Sequence, residues 1–378
     1  MKFPLGIQTF SHIRENDYLY IDKTDLIQKL IDTGKAYFLS RPRRFGKSLL
    51  LSTIEAVFKG QQHLFKDLAI DNNGHQFAAH PIIKLEFAKD EFTTAENLKD
   101  YITTTTNRLS KEHHIELDAN SYNQRFDELV VKLQQKYNMG VVLLIDEYDK
   151  PILNNLNQPQ LGEVKQVITS FYAMVKSIDE HLAFTFITGV TKFAKVSVFS
   201  GMNNLDDISM DHAFATLCGV TQAELEQHFS QSITELQNTE ALEQQQLLQK
   251  IKRWYNGYCF HPKAERLYNP FSLLSLFKKS EFKNYWFSTA TPTFLLDLLQ
   301  HKQYSLPLLT DLAVGDSVFD ACEPEEISVQ AVFLQTGYLT IKDYQDPLYQ
   351  LDFPNFEVKK SFFESVTTRY GKLDRAQG

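Results

Sequence analysis

Residues 36–54 read AYFLSRPRRFGKSLLLSTI, and this stretch decides the fold. An apolar run leads into a loop that ends in Gly46-Lys47-Ser48, and a run with helical periodicity follows the loop. This order of strand, loop and helix is typical of a phosphate-binding P-loop, in which successive backbone N–H groups surround an anion at the positive end of a helix. In such a loop Lys47 contacts the outer phosphates and Ser48 supplies a hydroxyl for Mg²⁺. The first glycine of the usual pattern is replaced by Arg41.

A second pattern follows further along the chain, where the unbroken apolar run Val141 to Ile145 ends in Asp146-Glu147. Such a run is typical of a strand buried on both faces of a parallel sheet. A carboxylate at the end of a strand beside a P-loop can hold Mg²⁺, usually through water, and the next carboxylate can polarise the attacking water. We therefore assign Asp146 to the metal and Glu147 to catalysis. The alternative is a buried strand stopped by an acidic turn, with Gly-Lys-Ser as an ordinary helix start.

The two patterns differ in how often each arises by chance. A Gly-Lys-Ser match arises by accident in roughly one chain in five of this length, whereas four apolar residues followed by Asp-Glu arise in about one in thirty. Both patterns in the right order are much stronger evidence than either one.

Length and composition favour an ordinary globular protein of two or three domains. The chain has 378 residues, of which 43% are hydrophobic and 23% charged. Its net charge of −8 excludes attraction of nucleic acid by overall charge, and phosphate binding already explains the local basic patch around Arg43. Three distant cysteines, Cys218, Cys259 and Cys322, suggest neither disulfides nor a zinc site. Without a signal peptide or a membrane-spanning run, we expect a cytoplasmic protein that does not contact the membrane.

Strands alternate with helices from residue 36 to residue 190, which predicts an α/β fold: a parallel sheet with helices on both faces. The predicted strands cover 36–39, 81–87, 141–145 and 183–189, and the predicted helices cover 26–31, 47–59, 95–137 with a break near His113-His114, and 161–178. We expect the histidine pair to be on the surface, because its spacing does not suit a metal.

Two further places could contribute to a nucleotide site. Residues 18–21 alternate like a strand, and Tyr18 or Tyr20 could stack on an adenine; ordinary edge packing is the alternative. Thr188, at the end of the last predicted strand, is a candidate for contact with a γ-phosphate or the attacking water, with Lys192 behind it. The alternative for Thr188 is a normal Thr-Gly turn.

The remainder of the chain reads as mostly helical and rich in aromatic residues. Thr221 and Glu224 have the spacing of a capping box, residues 240–252 look helical, and 331–358 turns to strands. Aromatic residues cluster at 254–260, 268–271 and 285–287. They could stack bases of single-stranded nucleic acid, but basic residues are not interleaved with them, so we favour a small helical core.

These segments together resemble the bacterial AAA-ATPase-like family, whose members often carry a C-terminal nuclease-like domain of the PD-(D/E)XK class. The resemblance runs from about residue 4 to about residue 365, and Arg41 fits the family's own loop. The resembling segments are 20–24, 38–48, 144–149, 188–193, 254–258, 268–271 and 337–340.

The resemblance implies a P-loop ATPase core at 1–200, a helical, aromatic-rich lid region at 201–330, and a short strand-containing segment at 331–378 that leads to the missing nuclease-like domain. A winged helix within the C-terminal region is one expectation. Phe356-Glu357-Val358-Lys359 contains the Glu-x-Lys core of the nuclease motif. Asp343 and Asp352 are poorly placed to share a metal with it, so we expect a connector here.

The expected site is therefore a nucleotide site for ATP and Mg²⁺. We expect catalytic roles for Glu147, Lys47 and Thr188, and metal contacts from Ser48 and Asp146. The cofactor-binding loop comprises Arg41, Pro42, Arg43, Arg44, Phe45, Gly46, Lys47, Ser48 and Leu49.

Three functions compete at this point. The first is an ATP-hydrolysing switch. The second is a regulatory or recruitment module that holds nucleotide without turnover, motivated by arginines that would crowd the phosphate path. The third is the motor or sensor of a nucleic-acid-acting nuclease system, which would contact nucleic acid through the missing domain. A homo-oligomer could supply Arg253 or Arg266 to a neighbouring site as an arginine finger.

Overall fold

A parallel five-stranded sheet organises the N-terminal half of the chain. The computed structural model describes residues 2–192, 204–286, 295, 298–299, 309–319 and 328–376, with side chains to residue 368, so Phe193, Phe287 and Cys322 lie outside it. The strand order is β2-β3-β4-β1-β5. The strands are β1 Ala36–Ser40, β2 Ile82–Glu86, β3 Val141–Asp146, β4 Leu182–Gly189 and β5 Asp206–Asp207.

Burial of the strands follows their apolar pattern. Every residue of β3 and β1 is buried, as expected for strands covered on both faces, whereas edge strand β2 alternates, with Ile83 and Leu85 inside. The register aligns Leu39 of β1 with Thr188 of β4, and Ile145 of β3 with Ile187. Because the strands are parallel, their carboxyl ends meet at one edge of the sheet. The predicted α/β fold is confirmed.

Helices cover both faces of this sheet. The predicted break near His113 is confirmed, and Thr94 and Ser121 cap the two helices on either side of it through their side chains. None of the helices within the described ranges is long and apolar enough to cross a membrane. The helices are α1 Phe10–Glu15, α2 Thr24–Thr33, α3 Lys47–Phe58, α4 Ala69–Asn72, α5 Ala95–Glu112, α6 Tyr122–Tyr137, α7 Lys150–Asn155 and α8 Leu161–Ser177.

The strand-like interpretation of residues 18–21 is wrong. This segment is irregular, and Tyr18 makes only an isolated bridge with Lys2. Tyr20 instead packs edge-on against Phe10 of α1, with ring centroids 5.0 Å apart. The alternation reflects packing on two sides rather than pairing in a sheet, because Tyr20 faces α1 while Leu19 and Ile21 pack against the helices of the C-terminal region.

The C-terminal region is mostly helical, with a small antiparallel sheet in the order β6-β8-β7. The capping box of Thr221 and Glu224 is present. Leu312 pairs with Leu351, so the predicted segments 201–330 and 331–378 contribute to one sheet. The elements are α9 Gln222–His228, α10 Ser230–Glu240, α11 Gln244–Tyr255, α12 Pro270–Lys279, β6 Leu312–Val314, α13 Val329–Thr336, β7 Thr340–Gln345, β8 Leu348–Asp352 and α14 Phe356–Ala376.

The prediction of strands from residue 331 is wrong for its first part. Residues up to Thr336 form α13, capped by Ser328, whose hydroxyl accepts from the Ala331 N–H, and ended by Gly337 with φ +89°. The apolar residues 331–334 suit a buried helix as well as a strand, and the two caps decide between them.

Much of the aromatic cluster is core, although Trp254, Phe260 and Phe271 are only half-buried. Tyr255, Tyr258, Tyr268 and Trp286 are all nearly fully buried, so their faces are not exposed to bases. Tyr255 and Tyr268 pack with α9 to α12 in a second hydrophobic cluster, and Tyr258 and Trp286 belong to the main core.

Glu357, the glutamate of the Glu-x-Lys match, is a buried structural residue. Its carboxylate accepts hydrogen bonds from the Ser272 hydroxyl at 2.8 Å and the Trp286 N–H at 2.7 Å, whereas Lys359 is exposed. The described residues contain no cluster of three His, Cys, Asp or Glu side chains that could hold a metal. Burial raises the pKa of Glu357 from 4.5 to about 7.

We predict that Glu357→Gln changes the pH dependence of stability. Because the pKa is higher in the folded chain than the 4.5 of the unfolded chain, the folded state holds an extra proton between these values. The stability from this proton is full below pH 4.5 and is lost as the pH rises through about 7. Glutamine does not titrate, so the Glu357→Gln chain does not lose this stability. The difference between its unfolding free energy and that of wild type should therefore rise with pH, by up to roughly 3 kcal/mol.

Urea unfolding of both chains across this pH range measures the difference. Glu364→Gln, at an exposed glutamate of the same helix that pairs with Lys360, is the control. A constant difference between Glu357→Gln and wild type over the whole range would contradict the prediction.

Candidate functional site

The loop between β1 and α3 has the geometry of an anion-binding helix start. Gly46 precedes α3 with φ +91°, a left-handed conformation that favours glycine. The first backbone N–H groups of α3 have no partner within the helix and carry its positive dipole end. Lys47 and Ser48 are the first two residues of this helix. The sequence therefore places amides, an ammonium and a hydroxyl at one helix end.

The Lys47 ammonium lies under the loop. It donates to the carbonyl oxygens of Arg41 at 2.9 Å and Pro42 at 3.1 Å, and the residue is only 6% exposed. Burial lowers the pKa of Lys47, and the nearby carboxylates of Asp146 and Glu147 act in the opposite direction. The ammonium is thus held by main-chain oxygens that an anion could replace.

The Asp146 carboxylate joins three of the predicted site residues. One oxygen accepts from the Ser48 hydroxyl at 2.6 Å. The other accepts from the Thr188 hydroxyl at 2.6 Å and from the Glu147 N–H at 3.1 Å. Asp146 is 5% exposed and Thr188 is fully buried. The ends of β3 and β4 and the start of α3 therefore meet at one carboxylate.

Glu147 lies beside this junction with an unusual backbone. Its φ is +52°, which is uncommon for a residue with a side chain and is often found at functional sites. Burial raises the pKa of Glu147, and the positive charge of Lys47 partly offsets this.

A cavity of about 360 Å³, which we call the loop cavity, opens in front of these groups. Its walls come from the P-loop, from Glu147 and Lys150 after β3, from the N-terminal residues 4–8 and from α12. Ser48 connects the loop cavity to Asp146. Gly46 and Lys47 therefore line the loop cavity, and Asp146 is connected to it through Ser48; the convergence of the three on a triphosphate stays a prediction.

An apolar pocket of about 110 Å³ adjoins the loop cavity. The two share Pro4, Gly46, Leu49, Pro270 and Leu274 as walls. Further apolar walls come from residues 217–220 and from the segment that contains Tyr20.

Of the two tyrosines named from the sequence, only Tyr20 lines this apolar pocket. Tyr18 instead lies against His12 and under the Lys2 ammonium.

The side chain of Arg41 does not face the loop cavity. Its guanidinium donates to the carbonyl oxygens of Ser40 at 2.9 Å and Ser209 at 2.8 Å and lies 4.0 Å from the Phe260 ring centroid. It is 1% exposed, and burial lowers its pKa to about 10. Of the loop arginines expected to crowd the phosphate path, Arg41 therefore points away from the loop cavity, whereas Arg43 and Arg44 line it.

The next four loop residues also contact the C-terminal region, through what we call the loop-anchoring residues: Tyr258, Phe260, Phe271, Trp286 and Gly337. Pro42 packs against Gly337, and the Arg43 carbonyl accepts from the Trp286 indole N–H at 3.0 Å. The Arg44 guanidinium lies 4.9 Å from the Phe271 ring centroid. The Phe45 ring is edge-on to the rings of Tyr258 and Phe260, with centroid distances of 4.7 Å and 5.3 Å.

Sequence reasoning gave no role to Asp149, which is 1% exposed. One of its carboxylate oxygens accepts from the Val190 N–H at 3.1 Å, the Thr191 N–H at 2.8 Å and the Thr191 hydroxyl at 2.7 Å. It thereby fixes the chain after Thr188. Its position three residues after Asp146 in the acidic motif was the available signal.

Lys192, expected behind Thr188, is buried. Its ammonium pairs with Asp207 at 3.0 Å, and its N–H donates to Gln335 at 2.7 Å. It therefore connects the end of β4 to β5 and to α13.

The two arginines considered for a neighbouring site are used within the chain. Arg266 donates to the carbonyl oxygens of Ile341 and Lys342. The Arg253 guanidinium lies 4.9 Å from the Phe356 ring centroid.

Comparison with known proteins adds a family and a relative. The profile of a family described as "Predicted AAA-ATPase" matches residues 4–199, which include the P-loop, Asp146-Glu147 and Thr188. An "Uncharacterized protein in vnfD 5'region" from Azotobacter chroococcum mcd 1 is 40% identical over 375 residues, which are 98% of this chain and 70% of the relative. The similarity to this relative therefore extends through the C-terminal region as well.

The contact between Pro42 and Gly337 predicts an outcome for Gly337→Ala. An added Cβ would lie 2.6 Å from Cβ and 2.8 Å from Cγ of Pro42, at a backbone φ of +89°. Gly74→Ala is the matched control, since Gly74 has φ +76° and an added Cβ there meets nothing within 4 Å. We expect a loss of about 1 kcal/mol for Gly74→Ala and of about 2–4 kcal/mol for Gly337→Ala.

Unfolding free energies from urea titrations of the two variants measure the cost of the contact. Equal losses in both variants would show that Gly337 does not support the loop.

Proposed function

We propose that this chain, which belongs to the AAA-ATPase-like family of predicted AAA-ATPases, binds ATP with Mg²⁺ and hydrolyses it as a nucleotide-dependent switch. The observation that carries the proposal is that Lys47 and Ser48 line the loop cavity, while the Asp146 carboxylate binds the Ser48 and Thr188 hydroxyls directly behind Ser48. A helix start with free amides and a lysine suits the phosphates. The adjoining apolar pocket suits a base, with Tyr20 on its wall.

The residues present fit Mg²⁺. The Ser48 hydroxyl and the Asp146 carboxylate, 2.6 Å apart, are oxygen donors, which Mg²⁺ prefers. Two protein ligands are enough, because Mg²⁺ usually keeps several waters and takes phosphate oxygens as its other ligands. When bound, the ion would neutralise charge on the phosphates.

Glu147 is the proposed base. It lies at the loop cavity, where its carboxylate can accept a proton from the attacking water. The bond from this water oxygen to the γ-phosphorus forms as the bond to the β-phosphate oxygen breaks, and ADP leaves. Thr188, held by Asp146, would orient the water or a phosphate oxygen.

Contacts of the loop with the C-terminal region support the switch aspect of the proposal. Each of residues 41–45 touches a residue beyond 200, so a change in the loop on nucleotide binding reaches that region directly. The burial of Tyr255, Tyr258, Tyr268 and Trp286 weakens the sequence argument for base stacking. A nucleic-acid partner, a homo-oligomer and a cytoplasmic location stay predictions from the sequence.

We predict that Lys47→Ala and Glu147→Gln separate binding from turnover. Lys47→Ala removes the phosphate cation and should weaken ATP and ADP binding at least about tenfold in isothermal titration with Mg²⁺. Glu147→Gln keeps the shape of the site but removes the base, so ATP should still bind while phosphate release falls about 10²- to 10⁴-fold.

Lys59→Ala, at an exposed lysine at the end of α3, is the control for both measurements. Turnover that is unchanged in both Lys47→Ala and Glu147→Gln would contradict the proposed hydrolysis. If wild type releases phosphate no faster than Glu147→Gln does, the chain would instead be a module that binds nucleotide without turnover.

A further inference from the structure

The loop cavity contains more positive charge than a lysine-based phosphate site needs. Among the described residues that line it, Arg43, Arg44, Lys47 and Lys150 are cationic, and Glu147 is the anion. Hydrolysis spreads negative charge over the transferring phosphoryl group, and ATPases usually stabilise that charge with an arginine. One of these four cations is therefore expected to stabilise the charge on the phosphoryl group.

The surroundings of these cations differ. Lys47 lies under the loop on two carbonyl oxygens, in the position of the ground-state phosphate cation. Arg44 is exposed and stacks on Phe271 at the rim. Lys150, at the start of α7, offers a point charge rather than the planar fork that matches phosphoryl oxygens.

Arg43 is half-buried, and in the described part of the chain its guanidinium has no hydrogen-bond or ion-pair partner. Arg43 and Glu147 line the same cavity. Its main chain is fixed, because its carbonyl accepts from the Trp286 indole N–H at 3.0 Å. A held backbone with an unpaired guanidinium in the cavity is preorganised for an anion.

We propose that Arg43 is the catalytic arginine of this site, supplied by the same chain, and that it donates hydrogen bonds to the γ-phosphoryl oxygens as they gain charge. This rests on the proposed ATP hydrolysis. Arg43 transfers no proton, since the proton of the attacking water goes to Glu147 and the leaving group is ADP. Arg43 lines the loop cavity of its own chain, whereas the Arg266 guanidinium is bound to the main-chain oxygens of Ile341 and Lys342.

The first test is steady-state ATP hydrolysis by the full chain. Arg43→Ala should lower kcat about 10²- to 10³-fold, while the Kd for ATP, which also reports folding, changes less than about fivefold. Arg43→Lys should recover little of the rate, because lysine lacks the planar fork. Arg108→Ala, at an exposed arginine of α5 that pairs with Glu112, should match wild type.

The second test shows whether Arg43 acts in the site of its own chain or in that of a neighbouring chain. Arg43→Ala has an intact Lys47, and Lys47→Ala has an intact Arg43, so a site shared between chains would regain activity when the two inactive variants are mixed. We expect no recovery, and a wild-type activity per molecule that does not depend on protein concentration.

Recovery on mixing would overturn the same-chain assignment, and full turnover by Arg43→Ala would overturn the catalytic role while leaving the proposed hydrolysis intact. A wild-type chain that binds ATP without turnover would overturn the proposed hydrolysis and this inference together.

Discussion

The carboxylate of Asp146 receives hydrogen bonds from the Ser48 and Thr188 hydroxyls, both at 2.6 Å, and the rest of the site depends on this junction. A nearly buried carboxylate needs such partners, because an unpaired one would cost several kcal/mol. The parallel register makes the junction possible, since it brings the ends of β1, β3 and β4 to one edge of the sheet. Sheet topology therefore determines which side chains can meet there.

The second constraint is the contact between the P-loop and the C-terminal region. A glycine-rich loop relies on its small residues to wrap an anion, whereas residues 41–45 here are large and each has a partner among the loop-anchoring residues. Arg41 occupies the position where a glycine is usual, and its guanidinium binds the main-chain oxygens of Ser40, at the end of β1, and Ser209 and stacks on Phe260. The loop is shaped by the region it contacts, which suits a protein that couples the two.

Much of the sheet and part of the site could be predicted from local sequence. The apolar run before Asp146 and the Gly46-Lys47-Ser48 turn carry their own periodicity and turn chemistry, so strand, loop and helix were recognisable. The direction of the Arg41 side chain and the anchoring by Trp286 were not predictable, because they depend on contacts between segments distant in sequence. Residues 331–336 were misassigned since a short apolar run fits a strand or a buried helix equally well.

The central claim is that Ser48 and Asp146 act on one metal–nucleotide complex, and Mn²⁺ in place of Mg²⁺ tests it most directly through electron paramagnetic resonance. In wild type, ATP should increase Mn²⁺ affinity, because phosphate and protein oxygens share the ion. Asp146→Asn should lower Mn²⁺ affinity in the presence of ATP about tenfold or more, while nucleotide binding without metal is retained. The same Mn²⁺ affinity in wild type and Asp146→Asn, with ATP bound to both, would contradict the account.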